Sequence, residues 1–377
     1  MLDILIDAHP VSLTLLVLLG MAFIIQLGYY LGFFARLGRY RQKEKSVGQQ
    51  GVSVVICARN EYHHLKETLP LFLEQDYPEY EVLVVNHASD DDTPYLLNRL
   101  EEQYPHLKTI AIREDLNFFT GKKFPLSIGI KSAKYDIILL TDADCKPSSR
   151  EWIARMQSAF TSKTEVVLGY GPYYRSKGLL NKLIRFDTAH IAIQYLSFAL
   201  SGLPYMGVGR NLSYVKPLFY RNKGFISHYR IRSGDDDLFI NRVANKNNTA
   251  IMVEPGSYTF SDPKQTFGKW ITQKKRHLST SVHYKFIHKF LLGLYAFSLY
   301  SFYTLALVML LMNISIWIVL AIIVIRMFVQ FLVMARCMKQ LNEKDLVPFL
   351  PVYELVLLFL NTGTMISNFL RKPRRWK

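Results

Sequence analysis

Asp142-Ala143-Asp144 is the densest piece of chemistry in this sequence. Two carboxylates one residue apart, at the end of an apolar run, can both approach one hard cation. Mg2+ takes one or two carboxylates and completes its shell with phosphate oxygens. A cation held there would neutralise a diphosphate leaving group. The same three residues also read as a plain solvated turn. A second acidic group, Asp235-Asp236-Asp237, holds a candidate carboxylate base or caps a helix over residues 238–244. Cations stand apart from both groups: Lys122 and Lys123, then Lys274, Lys275 and Arg276. Lysine and arginine meet diphosphate charge, arginine with a fixed fork. The second set equally reads as a basic stretch at a membrane edge.

These residues need a scaffold, and the chain supplies one. Residues 52–57 (VSVVIC), 80–86 (YEVLVVN) and 135–141 (YDIILLT) are apolar, β-branched runs that predict strands buried on both faces. A shorter strand is predicted over 109–113. Helical patterns fill 60–74, 93–104 and 124–133. Strands alternating with helices imply an α/β domain with a mostly parallel sheet. Ligands bind such sheets beyond the carboxyl ends of the strands. That singles out Ala58, Arg59, Asn60 and Glu61 after the first strand. Asn86, His87 and Asp91 follow the second, and Asp142 and Asp144 end the last.

In order and spacing these segments resemble the family 2 glycosyltransferases of the GT-A fold, a Rossmann-like architecture. VSVVICARNE, YEVLVVN with SDDDT, and LLTDADC carry the likeness first. Gly121-Lys122-Lys123 resembles the basic loop of that family, GVGRNLSY (207–214) its glycine-rich acceptor-side segment, and SGDDDL (233–238) its acidic motif. Gln273-Lys274-Lys275-Arg276-His277 resembles the QxxRW motif of membrane-bound members. The likeness covers residues 52–284. It implies an inverting, metal-dependent transfer of a sugar from a nucleotide-sugar donor, with Mg2+ or Mn2+ on Asp142 and Asp144. Donor contacts are implied at Ala58, Arg59, Glu61, Asn86, His87, Asp91, Lys122, Lys123, Asp142, Gln273 and Arg276. The base is Asp235 or Asp236: counting back from Arg242 favours Asp236, counting from Pro255 favours Asp235. Asp237 is expected to start the following helix or to orient the site.

Three departures matter. Asn86 or His87 stands where the family carries an acid that meets the donor base, so UDP is the expected carrier with guanosine as the alternative. Gly234 or Asp235 replaces a glutamate. His277 replaces the tryptophan that lines the acceptor site of processive synthases, which favours one transfer per binding event.

The rest of the chain indicates where this domain works. It has 377 residues, a formal charge of +16 and 50% hydrophobic residues, with a slightly positive mean hydropathy. That pairing requires apolar and basic residues to be segregated. Residues 11–34 form an apolar stretch long enough to cross about 30 Å of hydrocarbon. Asp3 and Asp7 precede it, and Arg36, Arg39, Arg41, Lys43 and Lys45 follow it. The pattern predicts an uncleaved anchor with its basic flank, and the catalytic domain, in the cytoplasm. Further apolar stretches run over 290–312 and 314–334, the latter containing Arg326. A last one, 346–370, contains Pro348, Pro351 and Glu354 and ends in a basic tail from Arg371 to Lys377. Its charge favours a re-entrant or interfacial segment over a fourth crossing. Residues 179–203 read either as an amphipathic helix on the bilayer or as a core helix.

The expected organisation is an anchor (1–45), a GT-A domain (46–285) and a C-terminal membrane region (286–377). The protein is expected in the inner or plasma membrane with a lipid or lipid-linked glycan acceptor. A processive polysaccharide synthase is the alternative, a nucleotidyltransferase or a non-enzymatic scaffold more distant ones. The positive charge clusters at membrane edges, which argues against nucleic acid. Cys57, Cys145 and Cys337 match no zinc spacing and no disulfide framework.

Overall fold

The computed structural model describes residues 10–42, 50–113, 121–231 and 233–370. Asp3, Asp7, Lys43, Lys45 and the tail from Arg371 to Lys377 lie outside these residues. The chain forms two compact units. One contains Arg41–Tyr284 together with Gly363–Lys377; the other joins Met1–Tyr40 to Lys285–Thr362.

Among the described residues, the first unit is built on nine strands: β1 (Val52–Ala58), β2 (Tyr80–His87), β3 (Leu107–Ile112), β4 (Ile137–Asp142), β5 (Cys145–Pro147), β6 (Val166–Leu168), β7 (Leu212–Val215), β8 (Thr249–Ile251) and β9 (Thr259–Ser261). Seven of them form one sheet in the order β3-β2-β1-β4-β7-β6-β8, and β5 pairs with β9. The half from β3 to β4 is parallel, while β7 runs antiparallel to both β4 and β6. This is the expected GT-A-like α/β fold.

Burial on both faces explains the apolar strands. Val52, Val54, Val55 and Ile56 are within 1% of full burial. The polar exception in β1, Ser53, donates to Glu81 of β2 (2.6 Å) and accepts from the amide of Tyr135 (3.0 Å). Buried hydroxyls stay in place only when paired in this way. The helix Lys123–Ser132 presses so closely on the sheet that a Cβ on Gly129 would lie 2.6 Å from Val55. The helix Leu179–Leu200 is a core helix: Ile184, Phe186, Ile193, Tyr195, Leu196 and Phe198 are buried, and the Tyr195 hydroxyl donates to the Gly169 carbonyl at 2.6 Å. Of the two readings of 179–203, the core one fits.

The second unit consists of helices long and apolar enough to span a membrane: Pro10–Arg39, Phe286–Leu311, Ile316–Gln340 and Lys344–Ser367. Of the re-entrant or interfacial forms expected for 346–370, the hairpin is not the one the last helix takes. From Leu350 it is one continuous helix. Pro351 falls in its first turn, where a missing N–H costs nothing, and Pro348 lies in the preceding 3-10 turn.

Arg326 faces protein. It is fully buried and its guanidinium clasps the Glu354 carboxylate at 2.7 and 2.9 Å. The same guanidinium donates to Gln330 (2.6 Å) and Gln26 (3.1 Å), while Tyr30 (2.8 Å) and Tyr303 (2.5 Å) donate to Glu354. Among the described residues the network draws on two helices through charge, Arg326 and Glu354, on the N-terminal helix through Gln26 and Tyr30, and on the helix Phe286–Leu311 through Tyr303. In hydrocarbon a charge persists only when paired like this.

Candidate active site

The loops after β1 and β2 are laced together. Asn60 adopts a left-handed conformation (φ 57°), which turns the chain sharply after the strand. Its amide donates to Ser89 Oγ (2.9 Å), its side-chain oxygen accepts from the Asp90 amide (2.8 Å), and Ser89 donates to Asn86 Oδ1 (2.6 Å). Asp91 accepts from the amides of Tyr62 (3.1 Å) and Thr93 (3.0 Å). Asn86 and Asp91 therefore shape this edge with their side-chain oxygens. Ala58 and His87 are buried beside them, and Arg59 and Glu61 keep partial exposure. Glu61 pairs with His64 Nδ1 at 2.6 Å; burial nevertheless raises its carboxyl above the usual range.

β4 delivers the aspartate pair. Thr68 fixes the turn by donating to the Ala143 carbonyl at 2.9 Å. Oxygens of Asp142 and Asp144 and the sulfur of Cys145 all lie within 4.8 Å of one another. The two carboxylates suit a hard divalent cation. The Cys145 thiol is fully buried, and burial holds it in the neutral form, so it adds no hard ligand. Burial pushes Asp144 up, and the Asp142 charge pushes it further. Burial would also raise Asp142, but the Lys122 ammonium in direct contact holds it below its usual range.

The acidic triplet divides into three roles. Asp237 is buried and accepts from its neighbour's amide at Leu238 (2.7 Å), from Tyr284 (2.7 Å) and from Thr280. Asp236 caps the helix Asp237–Val243: one oxygen accepts from the Asp237 amide (2.7 Å), the other from the Gly209 amide (2.8 Å). Asp235 makes no hydrogen bond to another side chain among the described residues. Its carboxyl lies in the field of Lys122 and Asp142, and burial together with the Asp236 charge pushes it up to about 6.

The two adjacent lysines part company. Lys122 meets Asp142. Lys123, expected on diphosphate, is buried and donates instead to the carbonyls of His228 (2.7 Å), Ile231 (2.6 Å) and Ser233 (2.8 Å). It holds the loop that leads into Asp235. Lys123→Met is expected to destabilise the chain by about 1.5–3 kcal/mol and to increase proteolysis around residue 231. Thermal unfolding and limited digestion check this.

On the helix Phe267–Leu278, Gln273 and Arg276 differ from Lys274. Gln273 Nε2 donates to the Tyr173 hydroxyl at 3.1 Å, and the exposed Arg276 adds positive potential at Asp142. Lys274 is buried against Asp187 at 2.6 and 2.7 Å, so it is an internal tie rather than a membrane-facing cation. Arg210 was not singled out from the sequence. It lies over the Tyr173 ring at 4.4 Å, donates to Ser261 (2.7 Å), and lowers both Asp142 and Asp144 electrostatically. Its only sequence signal was its place in the GVGRNLSY segment, beside Asn211. That asparagine is fully buried and ties Tyr170, Ser257 and Trp152 together.

Paired carboxylates at the end of a parallel strand, a facing acidic loop and converging cations are the arrangement of a GT-A domain. Residues 53–218 match the model for "Glycosyl transferase family 2". Among curated relatives it is 26% identical over 278 residues to the "Probable glycosyltransferase YdaM" of Bacillus subtilis, covering 70% of this chain and 63% of that one. It is 30% identical over 111 residues to the poly-β-1,6-N-acetyl-D-glucosamine synthase of Staphylococcus epidermidis, 29% of this chain and 25% of that one. The β-monoglucosyldiacylglycerol synthase of Trichormus variabilis is 28% identical over 146 residues, 38% and 31%. The chain thus spans less than two thirds of the length of these relatives. In fold it is similar to the mannosyltransferase PcManGT of Pyrobaculum calidifontis, solved with GDP-Man and Mn2+, at a TM-score of 0.56 and 18% identity over 91% of this chain and 98% of that one.

Proposed function

We propose that this protein is an inverting, metal-dependent glycosyltransferase that moves one sugar from a nucleotide-sugar, expected to be UDP-linked, to a membrane lipid or lipid-linked acceptor. The observation that carries the reading is the convergence of Asp142, Asp144, Lys122 and Asp235 beyond the strand ends. Asp142 and Asp144 would hold Mg2+ or Mn2+, which supplies charge neutralisation to a departing diphosphate. Lys122, Arg210 and Arg276 add positive potential on the same side. Asp235 accepts the proton of the acceptor hydroxyl as that oxygen attacks the anomeric carbon from the face opposite the leaving group. The loops after β1 and β2 seat the nucleoside, with Arg59, Glu61 and His87 beside it. The membrane helices support a lipid-borne acceptor, and the glycolipid synthase among the relatives agrees with one. The basic flank after the first helix favours a cytoplasmic catalytic domain.

The test uses the full chain in detergent with UDP-glucose, UDP-N-acetylglucosamine and GDP-mannose, a bacterial lipid extract and Mg2+ or Mn2+. The expected result is a lipid heavier by one sugar, release of nucleoside diphosphate, and loss of activity in Asp144→Ala. Pyrophosphate release, or full activity in Asp144→Ala, would refute the reading. A long polymer product would instead support a processive synthase, the reading that the match to the poly-N-acetylglucosamine synthase favours.

A further inference from the structure

Within the helical unit, the N-terminal helix and the helix Ile316–Gln340 run side by side in the same direction. Arg326 reaches Gln26 and Tyr30 near their middles, and the Cys337 thiol donates to the Phe34 carbonyl (3.3 Å) further along. The helices touch closely at Gly38, where an added Cβ would sit 3.0 Å from Arg336 Cβ. Beside this contact lies a groove of about 100 Å³. Leu31, Ala35, Val329 and Leu332 form its apolar stretch, and Arg39 and Arg336 stand at its other end.

Both arginines are exposed. Neither has a hydrogen bond or ion pair with another described residue, whereas nearby Arg36 turns back onto the Gly32 carbonyl at 2.8 Å. The groove thus changes from apolar to doubly cationic along its length, in step on both helices. From Leu31 to Arg39 is about 12 Å of helix, starting within apolar sequence and ending where the apolar run stops.

We propose that this groove binds one anionic glycerophospholipid of the bilayer, with an acyl chain along Leu31 and Val329 and the phosphodiester between Arg39 and Arg336. Two guanidinium forks match phosphate oxygens bidentately. A zwitterionic lipid would bring its own cation to the same place and gain less. The site is separate from the candidate active site in composition: no residue of the groove belongs to the GT-A domain.

Native mass spectrometry of the full chain, released from detergent micelles, tests this with phosphatidylglycerol and phosphatidylcholine of identical acyl chains. The expected result is one phosphatidylglycerol retained at least fivefold more tightly than phosphatidylcholine. The Arg39→Gln/Arg336→Gln double variant should lose most of that preference, at about fivefold per arginine. Arg36→Gln/Lys339→Gln, equal in charge removed but off the groove, should keep it. Leu332→Trp, which narrows the apolar stretch, should weaken retention of both lipids. Equal retention of the two lipids by the unmodified chain overturns the proposal without any variant having to fold. So does an equal loss in the two charge-matched double variants, which would mean diffuse surface attraction alone.

Discussion

Asp235→Asn is expected to lower turnover by about 10²- to 10⁴-fold while leaving nucleotide-sugar affinity near that of the unmodified chain. The argument rests on what each aspartate of the triplet already does. Asp237 is closed off by Thr280, Tyr284 and the Leu238 amide. Asp236 gives both oxygens to backbone amides as a helix cap. Asp236→Asn should therefore keep the helix cap, since asparagine caps as well as aspartate, but lose one of the two amide bonds at a cost of about 1 kcal/mol of stability, with a smaller loss of turnover. Asp235 has no hydrogen bond to another side chain among the described residues, which leaves its carboxyl available for the proposed base role. A base must be ionised to accept a proton, and burial with the Asp236 charge places Asp235 at about 6. The ionised fraction falls tenfold per pH unit below that value, so kcat/KM should fall with unit slope on the acid side of about pH 6. In Asp235→Asn the residual rate should lose that limb. If Asp236→Asn is the inactive variant and Asp235→Asn turns over normally, the assignment is reversed.

Glu354→Leu is expected to produce the largest loss of stability of any single change in the helical unit, about 3–5 kcal/mol. It strands the Arg326 guanidinium, which is fully buried and donates two short bonds to that carboxylate. Arg326→Met should be similarly damaging, because a carboxylate is then left in apolar surroundings. The double variant Arg326→Met/Glu354→Leu should recover most of the loss, since replacing a whole buried pair by apolar groups is often nearly neutral. Thermal unfolding in detergent of all four forms gives the coupling directly. Additive losses in the double variant would show that the two residues act independently and would remove the pair from the account of how these helices hold together.

Much of the GT-A domain is legible in the sequence. The strands over 52–58, 80–87 and 137–142 announce themselves because burial on both faces demands unbroken apolar sequence, and the positions just after them are where the fold puts ligands. The three-residue strands β5, β6, β8 and β9 were not legible, because a run that short has no periodicity to read. Spacing does not separate Asp235 from Asp236; the Gly209 amide, 27 residues away in sequence, occupies an oxygen of Asp236 alone, which supports the proposal of Asp235 as base. Lys122 and Lys123 look interchangeable in sequence, yet a single step around the start of a helix sends one to Asp142 and the other into carbonyls of a distant loop. Lys274 looked like a membrane-edge cation only because its partner, Asp187, lies on another helix. Arg210 was hidden for a similar reason: its setting is made by Tyr173 and Ser261, neither of them near it in the chain.

The Arg326–Glu354 clasp also sets a timetable. During synthesis the segment carrying Arg326 leaves the ribosome before the one carrying Glu354 does. Until then Gln26, Tyr30 and Gln330 can offer it only neutral oxygens, and a central arginine in a membrane helix carries a penalty of about 2.5–3.5 kcal/mol. Insertion of that helix is thus provisional until the last one arrives with its carboxylate. A chain cut short after residue 340 would leave the Arg326 guanidinium without its carboxylate.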